Sequence, residues 1–395
     1  MKYLYIQSAL HDGRGLVEHA EKLFEAVSKQ LGTEFSAGPA EEVGQEPVCL
    51  VYVASGGTAG LVKAALPVLH GPVVLVTRGF QNSLSASMET ITYITQQGKQ
   101  AQLLHGSDEE LVNEICALVR SATVRQEFKG MRLGLIGKPS DWLISTAMDY
   151  EQLNAELGVQ IVEITMDALM AEIEKASYPD SPACQELLAQ NFDRRQVEQA
   201  LEIYGAFHRL VEKYQLSGVS VRCFDLLTLV KNTGCLGLAL LNAAGVYAGC
   251  EGDLPTLVSM AILGKLSGQP VFQCNPSRII KSDNDIIFAH CTLPLNMPER
   301  YTLDTHFESG IGVAIAGDLP LGKATLFKAS ADRSRYFVAS GEIVEVLHED
   351  NLCRTQIRLH CDVPVEEFLN SHVGNHYLVC MGDHTDAIHA FFAKN

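Results

Sequence analysis

Apolar positions along the chain fall into short continuous runs separated by longer amphipathic stretches. KYLYIQ (residues 2–7) reads as a first strand and residues 15–31 as a helix. PVCLVYVASGG, GPVVLVTRG and AQLLHG follow as strands, each trailed by a helical pattern starting near Ala59, at Ser83 and at Asp108. Near-continuous apolar strands alternating with helices predict a parallel sheet covered on both faces. Residues 1–127 are therefore expected to form a doubly wound α/β domain.

The alternation restarts at Lys129. MRLGLIG, VQIVEI and SGVSVR read as strands, with helices over residues 149–157 and 234–244. The charged, amphipathic segment 166–214 is expected as a solvent-facing helical layer, broken at YPDSP. Residues 250–291 organise the rest of this part. Glu251 and Asp253 open a helix that stops at SGQP; a strand over residues 271–273 leads to Cys274 and Asn275, and DIIFA delivers His290. These ends are expected to meet at one edge of an α/β sheet, where sites form. The second α/β domain is thus set at residues 128–291. Beyond Cys291 the texture becomes short alternating runs split by Gly, Pro and Asp, which predicts a small C-terminal antiparallel β-barrel domain over residues 292–395.

The formal net charge of −17 excludes a nucleic-acid partner, because phosphate binding needs a basic surface. No apolar run is long enough for a membrane span, and the first residues lack a secretory pattern. The eleven cysteines contain no CxxC pair and read as reduced packing thiols. A cytoplasmic protein acting on a small molecule is the expectation.

Chemistry concentrates in a few residues. Glu251 sits between Cys250 and Gly252 with little bulk around it, whereas Asp253, with Pro255 in the first turn, suits helix capping. Glu251, His290 and His376 together suit a divalent ion such as Mn²⁺, Mg²⁺ or Zn²⁺. His306 with Glu308, and Arg354 with Gln356, are the candidate substrate-binding groups; an Arg and an amide on one β segment suit hydroxyls or a carboxylate. The SGGT turn after the second long strand reads as a tight strand-to-helix connection.

CEGD before an apolar helix, the GQPVF strand, the HC dipeptide and the closing GNHYLVCMGD resemble the L-fucose isomerase and L-arabinose isomerase superfamily, in particular its short fucose isomerase-like members. The resemblance runs from Val219 to the C-terminus. It implies an aldose–ketose isomerase with a bound divalent metal, usually Mn²⁺, working through an ene-diol. By position it implies Glu251 as ligand and proton carrier, and Asn275, His290 and His376 as further ligands. It also implies a homo-oligomer, trimer or hexamer, in which the first domain of one subunit can complete a neighbour's site; Arg78 and Asn82 are the candidates here. Asn275 departs from the family, which has an acid there. An amide coordinates through oxygen but brings no charge and cannot act as a base. Two rivals follow: a non-catalytic sugar-binding or regulatory protein on the same scaffold, and an enzyme using Cys274 or Cys291 as nucleophile.

Overall fold

The apolar runs of the first alternation pair in parallel, as their two-sided burial requires. In the computed structural model, which describes residues 1–393, they are β1 (Lys2–Ile6), β2 (Ser36–Ala37), β3 (Cys49–Val53), β4 (Val73–Thr77) and β5 (Ala101–His105). Their order in the sheet is β2-β1-β3-β4-β5, and every residue of β3 and β4 is buried. The SGGT turn is the tight connection expected. Gly57 takes a φ of 75°, the Ser55 hydroxyl accepts from the Ser8 amide at 2.9 Å, and the Thr58 hydroxyl donates to the Ser55 carbonyl at 2.9 Å.

This unit comprises residues 1–126 together with the chain from Asp386 onward. The last helix, Thr385–Phe392, therefore does not belong with the C-terminal barrel, contrary to the 292–395 assignment. Its apolar face, Ala387, Ile388 and Phe391, is buried. The Arg125 guanidinium lies 4.5 Å over the Phe391 ring, and the Ser121 hydroxyl donates to the Ala390 carbonyl. An amphipathic helix goes where its apolar stripe is covered, and here the cover is the helix Asp108–Phe128.

The other unit spans residues 127–385. Its parallel sheet has the order β7-β6-β8-β9, built from β6 (Arg132–Ile136), β7 (Gln160–Ile164), β8 (Gly218–Val221) and β9 (Tyr247–Cys250). Strand order reverses between β6 and β8, so the crevice beyond their carboxyl ends is the topological switch point.

Eight more strands follow: β10 (Phe272–Ile280), β11 (Asp285–His290), β12 (Arg300–Asp304), β13 (Ala314–Asp318), β14 (Gly322–Ala329), β15 (Tyr336–Val346), β16 (Thr355–Cys361) and β17 (Tyr377–Met381). β12 and β13 form a separate ribbon, while the others close an antiparallel barrel in the order β10-β11-β16-β15-β14-β17. The expected boundary at residue 291 is therefore wrong by two strands. β10 and β11 are barrel staves, not edge strands of the second α/β sheet. DIIFA misled because its burial is complete along its length. That burial comes from the barrel core, where Phe288 packs edge-on against Phe368 and beside Tyr377, and not from a doubly covered parallel sheet.

A second correction concerns the helical layer. The helix Arg194–Tyr214 buries nine residues, among them Phe207, under the helix Cys235–Ala243. Its charged face is solvent-exposed as expected, but its other face is core. Among the described residues no helix is long and apolar enough to cross a membrane.

Candidate metal centre and sugar pocket

The site grows from the turn that leaves β9. Glu251 and Gly252 are both left-handed, with φ of 64° and 69°. A Cβ at position 252 would lie 2.6 Å from the Lys138 carbonyl oxygen and 2.9 Å from the Pro139 Cα, so only glycine fits against the loop after β6. Glu251 has no such excuse. A non-glycine residue held at positive φ is strained, and such strain gathers at functional sites. Hydrogen bonds fix the turn: the Ser140 amide donates to the Glu251 carbonyl at 2.9 Å, and the Gly252 amide to the Val221 carbonyl at 3.0 Å. The strained backbone turns the Glu251 side chain away from the sheet, to where the barrel strands end.

Asp253 caps the next helix, Leu254–Ser267, as the sequence indicated; its Oδ1 accepts from the Thr256 amide at 2.9 Å. Its Oδ2 does something composition could not show. It lies 2.8 Å from Nδ1 of His376, which arrives from just before β17 and is fully buried. The other imidazole nitrogen, Nε2, has no hydrogen-bond partner and stands 3.5 Å from Oε1 of Glu251. His290, at the end of β11, completes the group. Its Nδ1 contacts the Thr292 hydroxyl at 3.0 Å, and its ring centroid lies 5.7 Å from that of His376. Glu251, His290 and His376 each offer one donor atom, and these lie within 4.8 Å of one another. All three are buried.

The electrostatics divide the two imidazoles. Burial opposes charge on His376, but the Asp253 and Glu251 carboxylates outweigh it and lift its pKa to about 9. Burial, with repulsion from His376, pushes His290 down to about 3, so it is neutral. Glu251 would be raised by its burial, yet His376, the Trp142 N–H and His290 hold it below the usual carboxylate range. The sign of each shift gives a prediction for metal-free protein. The raised pKa of His376 contributes stability that is complete below pH 6.5 and is lost as pH rises through about 9. The depressed pKa of His290 costs stability as pH falls below 6.5. In urea unfolding with a chelator present, these two groups should set a maximum near pH 6.5, and the alkaline decline should shrink in His376→Gln. An unchanged alkaline slope in that variant would contradict the assignment.

Residues named from sequence are only partly brought together. Glu251, Asn275, His290, His306 and Glu308 line one pocket, with His376 directly behind Glu251. The side-chain oxygen of Asn275 is buried there without a partner. His306 accepts or donates at the Ser309 hydroxyl, 3.1 Å away, and Glu308 is exposed at the rim. Arg354 and Gln356 are not part of it. Arg354 bonds the Thr305 carbonyl at 2.8 Å and pairs with Asp304, and Gln356 clamps both backbone groups of Glu349 at 2.8 Å. Their polar groups are spent on the end of β12 and on the loop before β16. Cys274, one step along the strand from Asn275, is buried outside the pocket, and burial pushes its thiol far up, which removes it as a nucleophile. Cys291 does line the pocket, next to Cys353. Arg78 and Asn82 belong to the other unit, where Arg78 pairs with Asp108 at 2.7 Å.

Two neighbours of the acidic pair escaped the sequence reading. Trp142, the chain's single tryptophan, donates from Nε1 to Oε2 of Glu251 at 2.6 Å. Its ring meets Phe224 edge-on at 5.0 Å, and Phe224 meets His306 at 5.6 Å, making an aromatic wall. A lone tryptophan in a loop at the carboxyl end of a parallel strand was the available signal. Lys328, on β14, is 3.6 Å from Oδ2 of Asp253 and had no signal at all.

No family model matches the chain. It is similar to the sulfoquinovose isomerase of Alkalicoccus urumqiensis, 22% identical over 374 residues, covering 88% of this chain and 84% of that relative. A sulfoquinovose isomerase of Clostridium sp. (strain MSTE9) is 24% identical over 234 residues, which is 56% of this chain and 52% of that relative. The similarity supports an enzyme of the sugar-isomerase kind, with its sugar unspecified.

Proposed function

We propose that this chain is a cytoplasmic, metal-dependent aldose–ketose isomerase, assembling as a homo-oligomer, with Glu251, His290 and His376 holding a divalent ion, Mn²⁺ by preference. The carrying observation is the convergence of those three donors, one of them a buried nitrogen with no other partner. A carboxylate, two imidazoles and an amide oxygen from Asn275 form a borderline-to-hard donor set that suits such an ion. When bound, the ion supplies Lewis-acid polarisation of two adjacent sugar oxygens.

The chain's own residues carry the proton. Glu251, ionised and oriented by Trp142, takes the proton from C2 of the aldose and returns it to C1 of the ene-diol, while the O2 hydroxyl proton passes to O1, so the ketose forms with no net gain or loss of protons. His290, neutral, is ready to coordinate without first losing a proton. Asn275 either completes the coordination or binds a hydroxyl; it moves no proton. Phe224 and His306, which line the pocket, offer ring faces to the sugar. Among the described residues lining the pocket none is Lys or Arg. A sulfonated hexose would therefore find no permanent cation in this chain's own pocket. That sugar and neutral aldoses such as L-fucose and L-arabinose belong in the same screen.

The test is metal content and turnover together. Wild type and Glu251→Ala are purified side by side with Mn²⁺, and aldoses are incubated in D₂O and followed by proton NMR. Wild type should keep about one ion per chain and exchange deuterium into C2 of its aldose, and the variant should do neither. A wild type that binds no metal and exchanges no deuterium into any aldose of the screen would remove the isomerase reading.

A further inference from the structure

Lys328 is 3% exposed, in a barrel strand, with its ammonium turned toward the α/β layer. Its Nζ donates to the Thr256 hydroxyl and lies 3.6 Å from Oδ2 of Asp253. That oxygen is the one on Nδ1 of His376. The neighbouring Ala329 amide donates to the Ser259 hydroxyl at 3.1 Å, so β14 is tied twice to the helix Leu254–Ser267. Stability alone does not explain this arrangement. A buried ion pair typically adds little over well-packed apolar side chains of similar size, because desolvating both charges offsets their attraction. A Leu or Met on β14 would serve the core as well. What an apolar residue would not do is hold the orientation of the Asp253 carboxylate, whose Oδ1 is committed to the helix cap and whose Oδ2 is shared between Lys328 and His376.

We propose that Lys328 is a positioning residue for His376: its buried ammonium locks Oδ2 of Asp253 onto Nδ1 of that imidazole, so that Nε2 is aimed at Glu251 and the ligand site. The inference rests on the proposed role of His376 as a ligand. It adds a third tier to the centre, ligand to carboxylate to lysine, spanning the barrel and the helix that Asp253 caps. Partners behind metal-bound histidines typically change affinity by about 10- to 100-fold when removed, since they fix the ring and raise its basicity.

The experiment compares wild type with Lys328→Met by calorimetric titration with Mn²⁺ and by the visible spectrum of the Co²⁺-loaded protein. The expected result is a Mn²⁺ affinity at least about tenfold weaker, with shifted Co²⁺ bands, in a protein that is folded by circular dichroism. A purely structural lysine would lower the melting temperature and leave both metal readouts at their wild-type values, and that outcome overturns the proposal. If Lys328→Met does not fold, Thr256→Val decides. It removes the hydroxyl that anchors Nζ while keeping the backbone amide on Asp253, and it should weaken Mn²⁺ binding several-fold; unchanged binding overturns the proposal. A wild type that takes up no Mn²⁺ would sink the functional reading and this inference together. A wild type that binds, beside a variant that binds equally, sinks only the inference.

Discussion

Glu251→Gln should retain the fold and lose turnover by about 10³-fold or more, on the scale of a removed general base that is also a ligand. Gln has nearly the same size and can keep the left-handed backbone at φ 64°, with an amide oxygen still able to accept from Trp142 at the position of Oε2. The charge is what disappears. His376 then loses one of the two carboxylates that raise its pKa, and the reacting carbon loses its proton acceptor. The measurement is kcat with whichever aldose the screen identifies, beside deuterium exchange at C2 and a melting curve. A variant within tenfold of wild-type kcat would mean that the proton travels through another group. Glu308, the only other carboxylate lining the pocket among the described residues, would then be examined first.

His376→Gln should cost metal rather than fold, with Mn²⁺ affinity falling by more than about 100-fold, beyond the loss expected for a partner behind a ligand. The glutamine amide can still donate to Asp253, so the carboxylate and Lys328 keep their pairing. The Nε2 that stands 3.5 Å from Oε1 of Glu251 is then gone. Activity should return in part at millimolar Mn²⁺, because Glu251, His290 and Asn275 remain. Metal binding at the wild-type level in this variant would show that the buried, unpartnered Nε2 is not a ligand.

The two variants probe different losses, and the sequence separated them only in part. Glu251 and Asp253 were legible because EGD before an apolar helix with Pro255 assigns one acid to the cap and leaves the other without a structural task. The cap is seen at Oδ1 of Asp253. His290 and His376 were grouped with Glu251 as one candidate ligand set, although 85 residues separate them in the chain and no local pattern joins them. Arg354 and Gln356 misled because a polar side chain on a β segment looks the same whether it faces a ligand or its own loop. Local pattern cannot tell where a hydrogen bond is spent.

Alternation of apolar runs and helices determined, from sequence alone, that parallel α/β sheets come first and antiparallel strands follow. Burial on two faces or one leaves a period that survives in the residues themselves. The pattern could not decide where the second sheet stops. A stave buried in a barrel and a strand buried in a parallel sheet carry the same unbroken apolar run, and only strand pairing distinguishes β10 and β11 from edge strands. The site was decided at the same level. Glu251 comes from the turn after a parallel strand, His290 from the end of β11, His376 from just before β17, Trp142 from the loop after β6, and Lys328 from β14. Their meeting depends on barrel closure and on one strained turn. Those are properties of tertiary packing, because the free energy of bringing distant residues together is supplied by contacts that no short window of sequence contains.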